Sequence, residues 1–275
     1  VDADVDALML DFYKSYFGAK AAKPMQKYFE LMDHSVRDTD AHTGSSYSIP
    51  QLYPDKVRKR GYALLAEADE AAENETYKKR VLIFKQVLDY TDAFINMINQ
   101  RAGHQWKEAN TSLKRIDDTR EILAAYDVEL VTKRYGISYM KRFFRHCTEQ
   151  GYERAVTKGK VLGGLPDEWH FNLDPGRIGE SLEWFSIDLT GGNWWKLRTS
   201  TASWSDQGLR VYKGDAWYRQ TVKLGAIPKD AKVFLWCGGV DEKAKIWVNG
   251  KPLGESPGKA FLPFEVDATA AVKAN

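Results

Sequence analysis

The chain has 275 residues, 43% hydrophobic and 28% charged, a balance that supports folded domains with real cores and argues against a disordered chain. That length exceeds what one compact core usually organises, so two domains are expected. Its 40 basic and 38 acidic side chains leave a net charge of +2, which offers no basic field for nucleic acid and no polybasic surface for an anionic membrane.

From Val5 to about Thr157 apolar residues recur at helical spacing, and glycine and proline are sparse outside the stretch from His42 to Pro54. A first helix is expected through Val5, Leu8, Phe12, Tyr16 and Phe17, punctuated by Gly18 and resuming from Ala19 through Met25, Tyr28, Phe29 and Met32. A loop marked by His42-Thr43-Gly44-Ser45-Ser46 follows. Tyr53-Pro54-Asp55 then places a proline where a helix start tolerates it, ahead of Val57, Tyr62, Leu64, Leu65 and Ala68. The strongest helical signal runs from Glu75 to about Gln105. One stripe there is Tyr77, Val81, Phe84, Leu88, Ile95 and Ile98, and a second is Ile83, Val87, Tyr90, Phe94 and Met97, the pattern of a helix with neighbours on two sides. Asn110-Thr111-Ser112 reads as the next cap, before Leu113, Ile116, Ile122 and Leu123, and a last helix is expected from about Ile137 through Met140, Phe143, Phe144 and Cys147 to Gly151.

Near Lys160 the period changes. Tryptophan, glycine and short alternating runs take over, and Tyr218–Val222, Lys232–Cys237 and Ala244–Val248 read as strands. Asn249-Gly250 is a two-residue hairpin signal, because both central positions of a type I′ turn need positive φ. The expected organisation is a multidomain α and β chain: an N-terminal helical bundle over 1–157, a linker over 158–166 and a C-terminal β-sandwich over 167–275.

Six pieces of the second half occur in a telling order. They are Trp169-His170-Phe171 with Asp174; Trp204-Ser205-Asp206-Gln207-Gly208; Tyr212 to Arg219; Leu235 to Gly239 with Val240-Asp241; Ile246 to Lys251 with Gly254; and Leu262 to Asp267. In this order, residues 169–267 resemble the N-terminal sugar-binding domain of glycoside hydrolase family 2 enzymes, a galactose-binding-like jelly roll. In that family a second sandwich and a catalytic barrel follow, whereas this sequence stops at Asn275 before the closing strand of the pattern. The helical half, through Tyr13, Tyr16, Phe17, Gly18, Ala21, Ala22, Pro24, Met25 and Tyr28, resembles the region after the barrel in uncharacterised, α-glucuronidase-like bacterial proteins. This second resemblance implies a glycosidase-like barrel upstream of Val1, an extracytoplasmic bacterial setting, and a chain that is the C-terminal portion of its parent. The start Val1-Asp2-Ala3-Asp4, with no initiator Met, agrees with an excised portion.

Nine tryptophans invite a search for sugar-stacking platforms. Trp217, Trp236 and Trp247 alternate with apolar strand residues and read as framework, whereas Trp184, Trp194, Trp195 and Trp204 sit in or beside Gly/Ser/Asp-rich connections and are candidate ligand contacts. Trp204 leads, because its loop also carries Asp206 and Gln207, a carboxylate and an amide able to hold sugar hydroxyls. Local backbone bonding within the loop is the competing reading for both. Arg219 and the polar tip Asp241-Glu242-Lys243 read as structural and as a solvated turn.

No cofactor is expected. A structural calcium on Asp174, Glu265 or Asp267 is considered without any EF-hand-like spacing to support it. The five histidines show no zinc spacing, Cys147 and Cys237 form no CxxC pair and read as core thiols, and no nucleotide-loop or nucleophile-elbow motif occurs. No apolar run reaches the ~20 residues of a membrane span. No catalytic residue is assigned, since glycoside hydrolysis needs two opposed carboxyl groups and spacing alone assigns no role to Glu180, Glu183 or Asp188. The expectation is a noncatalytic carbohydrate-binding or substrate-positioning portion of a glycosidase-like protein, with carbohydrate and the upstream barrel as partners. The alternative is a structural unit that braces that barrel.

Overall fold

The computed structural model describes residues 4–41, 46–131, 140–189 and 191–272, so the expected loop at 42–45 and helix start at Ile137 lie outside the described residues. About half the chain is helical, with helices first and short antiparallel strands after. Among the described residues no helix is long and apolar enough to cross a membrane. By contacts the chain divides into two compact units: Val1–Met97 with Ser112–Val131, and Ile98–Thr111 with Thr132–Asn275.

The first unit is built from α1 (Val5–Phe17), α2 (Ala22–Arg37), the single turn α3 (Ile49–Leu52), α4 (Asp55–Ala71), α5 (Glu75–Ala102) up to Met97, and α6 (Trp106–Tyr126) from Ser112. Asp4 caps α1 by accepting the Ala7 N–H at 3.0 Å. Gly18 ends α1 at φ 91°, and an added Cβ there would sit 2.6 Å from the Tyr77 ring, so backbone conformation and space both require glycine. Phe17, Met25, Leu64, Leu65, Ala68, Val81 and Leu88 fill the core. Edge-on contacts of Phe17 and Phe29 with Phe84, at 5.5 and 5.1 Å, tie α1, α2 and α5 together. The mostly buried Arg58 guanidinium meets Asp92 at 2.8 Å and the Tyr53 carbonyl at 2.7 Å, which compensates its desolvation. The second α5 stripe is divided, since Phe94 and Met97 are buried while Val87 faces solvent.

The second unit contains the C-terminal end of α5, the start of α6, α7 (His146–Tyr152) with flanking π-helical turns Met140–Arg145 and Glu153–Thr157, and seven strands. The helix expected to begin after Asn110-Thr111-Ser112 begins instead at Trp106. The break lies at His104, which takes φ 57° while the Gln105 N–H reaches Gln100 O and the His104 N–H reaches Arg101 O, a Schellman ending with histidine where glycine is usual. Thr111 lies inside the helix and bonds back to Lys107 O. His104 Nε2 also pairs with Leu165 O at 2.8 Å, and its ring lies 2.2 Å from where a Gly164 Cβ would be, so Gly164 serves close approach.

The strands are β1 (Glu168–Asp174), β2 (Trp195–Arg198), β3 (Asp215–Arg219), β4 (Phe234–Cys237), β5 (Lys245–Val248), β6 (Lys251–Glu255) and β7 (Phe264–Asp267). They pair in three small antiparallel sheets, of order β2-β1-β3, β4-β7 and β5-β6, and none closes into a barrel. β3 starts three residues earlier than the alternation suggests and ends at Arg219. There the Gln220 side chain takes over, donating to Glu168 O at 2.7 Å and accepting the Thr221 N–H, which ends the ladder. Asn249 and Gly250 both have positive φ and close the β5–β6 hairpin.

Helical segments back the β4–β7 sheet within this unit. Trp106 meets Trp236 edge-on at 4.9 Å, Phe143 meets Phe261 at 5.1 Å, and Arg154 pairs with Glu265 at 2.8 Å. Gly151 lets the Trp106 indole lie against α7: an added Cβ would be 2.2 Å from that ring. All nine tryptophans belong to this unit, so tryptophan fluorescence reports on it selectively. In urea unfolding followed that way, Gly151→Ala is expected to lose about 1–3 kcal/mol through overpacking of a rigid ring, despite alanine's better helix propensity. Gly61→Ala, followed by circular dichroism, is expected to stay within about 1 kcal/mol of the parent, because the atom it meets at 2.7 Å is the flexible Met32 methyl.

Candidate functional site

The three-stranded sheet positions the residues of interest. Its register pairs Phe171 with Trp195 and Tyr218, Trp169 with Leu197, and His170 with Lys196 and Arg219. Paired residues share a face and successive residues alternate, so Trp169, Phe171, Trp195, Leu197 and Tyr218 occupy one face while His170, Asn172, Asp174, Lys196, Trp217 and Arg219 occupy the other.

On the first face Phe171 is fully buried beneath Trp204, Trp195 and Tyr218, with ring centroids 5.8, 6.2 and 5.1 Å away. The Trp204 indole N–H donates to the Tyr218 hydroxyl. Burial raises the Tyr218 pKa, opposed in part by that hydrogen bond. Trp195 remains 50% exposed on edge strand β2, and Tyr218 36%. Asp206 accepts the Ser203 N–H at 2.9 Å and the Ser203 hydroxyl at 2.7 Å. Gln207 accepts the Arg198 N–H and donates to Arg198 O, both within 2.9 Å. Asp206 thus closes the 203–208 loop on itself, and Gln207 stitches that loop onto β2.

The opposite face carries Trp184 and Trp194, whose rings meet at 5.7 Å, with Trp184 6.0 Å from Trp217. Trp217 stacks on Trp247, which stacks on Phe185, at 5.1 and 5.5 Å. The six residues singled out from sequence therefore fall into two groups: Trp195, Trp204, Asp206 and Gln207 on the Phe171 side, and Trp184 with Trp194 on the other.

Two side chains lock the connection between β1 and β2. The buried Asp174 carboxylate accepts the Ile178 N–H at 2.8 Å, the Gly179 N–H at 2.9 Å and the Trp217 indole N–H at 3.0 Å. Burial pushes its pKa upward, but these donors outweigh burial and hold it below the usual carboxylate value. From β3, Arg219 donates to the carbonyls of Trp184 and Ser186 and lies over the Trp194 ring at 5.7 Å. The locked segment presents Ile178, Leu182 and Ile187 to solvent, at 49%, 54% and 58% exposure.

The carboxylates considered for calcium do not fit a cation. Asp174 is filled by three N–H donors, Glu265 is paired with Arg154 and Asp267 accepts the Thr269 N–H. Among the described residues no three His, Cys, Asp or Glu side chains converge on a metal-holding position. Glu180 pairs with Lys245, while Glu183 and Asp188 are exposed. Both thiols are unbridged, and burial raises the pKa of Cys147 and pushes Cys237 up to about 11.

Sequence reasoning passed over Tyr218, His170 and Lys196. The signal for Tyr218 was its place in Trp217-Tyr218-Arg219, where alternation puts it opposite Trp217. The other two needed the β1–β2 register.

Because the folded Asp174 carboxyl is more acidic than in the unfolded chain, its stabilisation is complete above the ordinary pKa of about 4 and is lost as pH falls through the lower folded value. The fluorescence-detected urea midpoint should therefore fall on acidification below about pH 4. Asp174→Ala should lose about 2–4 kcal/mol at pH 7, by orphaning one buried and two partly buried donors, and should flatten that acid dependence.

No family model matches the chain. Over 105 residues, 38% of the chain, it is 40% identical to a beta-glucuronidase of Streptococcus agalactiae serotype V, and the match covers 16% of that protein. Over 62 residues, 22% of the chain, it is 39% identical to a beta-galactosidase of Thermoanaerobacter pseudethanolicus, covering 8% of it. The chain thus spans only a small share of the curated relatives it matches. Over those parts it has a glycosidase-like relationship.

Proposed function

We propose that this chain is a noncatalytic, carbohydrate-binding or substrate-positioning portion of a glycosidase-like protein, and that its strand-bearing half is a sugar-binding sandwich of the galactose-binding-like jelly-roll type. The observation that carries this reading is the half-exposed Trp195 ring on a sheet face made rigid by Phe171, Trp204 and Tyr218, in a chain related in part to two glycosidases. A sugar ring packs its C–H face on such a plane, and a platform ordered in advance loses little entropy on binding. Asp206 and Gln207 act here by fixing the loop that holds Trp204 in place. The catalytic barrel belongs, on this reading, to the parent protein upstream, in an extracytoplasmic bacterial setting.

One observation favours the alternative of a bracing unit. Ile178, Leu182 and Ile187 are exposed on a segment locked from both ends, which suits contact with another protein surface.

A glycan array screened with this chain, followed by calorimetry, is expected to return hits within one sugar family. Trp195→Ala should weaken the best hit by about 1 kcal/mol or more with little change in stability, since half the ring is already in water. Trp204→Ala should weaken both binding and stability, because it uncovers Phe171 and removes the Tyr218 partner. Silence across the array, or unchanged affinity in Trp195→Ala, would remove the binding reading and leave the bracing one.

A further inference from the structure

His170 occupies the central strand of the three-stranded sheet, where a side chain is usually covered, yet it is exposed. The register sets it directly between Lys196 of β2 and Arg219 of β3, so three cationic or protonatable side chains stand in one row across the same face. Like charges placed opposite one another repel, and nothing in the pairing of the strands requires this arrangement. One row along, Trp217 is covered by Trp247, so the cover stops short of His170. The wall beside the row includes the Trp194 ring, which Arg219 underlies at 5.7 Å. Among the described residues Lys196 has a single ion-pair contact, at a long 3.7 Å to Glu168, with both side chains about half exposed, a pair that holds little energy and can open to a ligand. Arg219 spends two donors on Trp184 O and Ser186 O, while a guanidinium carries five.

We infer that the His170–Lys196–Arg219 row is a subsite for the carboxylate of an acidic sugar, with the ring of that sugar against Trp194. The inference rests on the carbohydrate-binding reading and adds a substrate class to it. Lys196 and Arg219 supply charge-assisted hydrogen bonds and His170 a further donor between them. A neutral hexose would leave Lys196 to Glu168 and Arg219 to neutral carbonyls alone, whereas a carboxylate gains from both cations, so the site selects by charge. It lies on the face opposite Trp195 and is independent of that platform.

The test is a 1H–15N NMR titration of this chain with methyl β-D-glucuronide, methyl β-D-glucoside and sodium acetate. The glucuronide should bind about tenfold tighter than the glucoside, the size of one charge-assisted hydrogen bond, and tighter than acetate. Shifts should centre on 168–172, 194–198 and 217–219. His170→Ala and Lys196→Gln, both exposed positions, should leave the melting temperature unchanged and erase most of the preference. Equal affinity for glucuronide and glucoside, acetate binding as tightly as the glucuronide, or a preference that survives both substitutions would overturn the inference. If only neutral glycans bind, at Trp195, the subsite is wrong and the carbohydrate-binding reading stands; if no glycan binds anywhere, both fall.

Discussion

The strand half depends on one buried charge. Asp174, at the end of the central strand, has no ion-pair partner among the described residues; its carboxylate is satisfied by two backbone N–H groups and one indole N–H. A carboxylate in that position must stay ionised and fully bonded, which fixes the turn at 177–179 and the orientation of Trp217 together. Gly179 follows from the same requirement, because a Cβ there would fall 2.2 Å from the Trp217 nitrogen. Trp217 in turn sets the stack through Trp247 to Phe185, and Arg219, two residues on, takes the carbonyls at the other end of the segment.

That arrangement gives the sheet two different faces. One is aromatic and partly open at its edge; the other is covered near Trp217 and polar beyond it. Rigid polar anchors below and aromatic surface above are what a site for a weakly hydrophobic, hydroxyl-rich ligand needs, since such a ligand gives little energy per contact and cannot also order its own site. The same locking presents Ile178, Leu182 and Ile187 in fixed positions, so the segment could serve a macromolecular contact without adjustment.

Much of this was legible in the sequence, and the misses have physical causes. Helical stripes located α1, α2, α4 and α5 because a buried face leaves a period of 3.6 residues, and Asn249-Gly250 gave its turn because few residues accept positive φ. The α5–α6 break was misplaced because the left-handed position is held by His104, whose side chain recovers the cost through Leu165 O, while Asn110-Thr111-Ser112 imitates a cap it does not form. Asp206 and Gln207 carry the right chemistry for a sugar, and only coordinates distinguish a side chain aimed at ligand from one bonded to its own loop. The alternation of Trp169, His170 and Phe171 was visible, but which strands flank them was not, and the row at His170 exists only through pairing across 26 and 49 residues of chain.

Gly151 and the Trp106 ring it accommodates bear on what can travel as a module. Chain segments 98–111 and 140–157 are helical, yet they also contact the strand region: Trp106 on Trp236 of β4, Phe143 on Phe261 in the turn before β7, and Arg154 on Glu265 of β7. A gene fusion that carried only the strands would leave Trp236 and Phe261 without these partners and would have to supply a new back wall for the β4–β7 sheet. The compact unit is accordingly the strands together with their helical backing, and its boundary falls before α5 ends rather than at the change of sequence period.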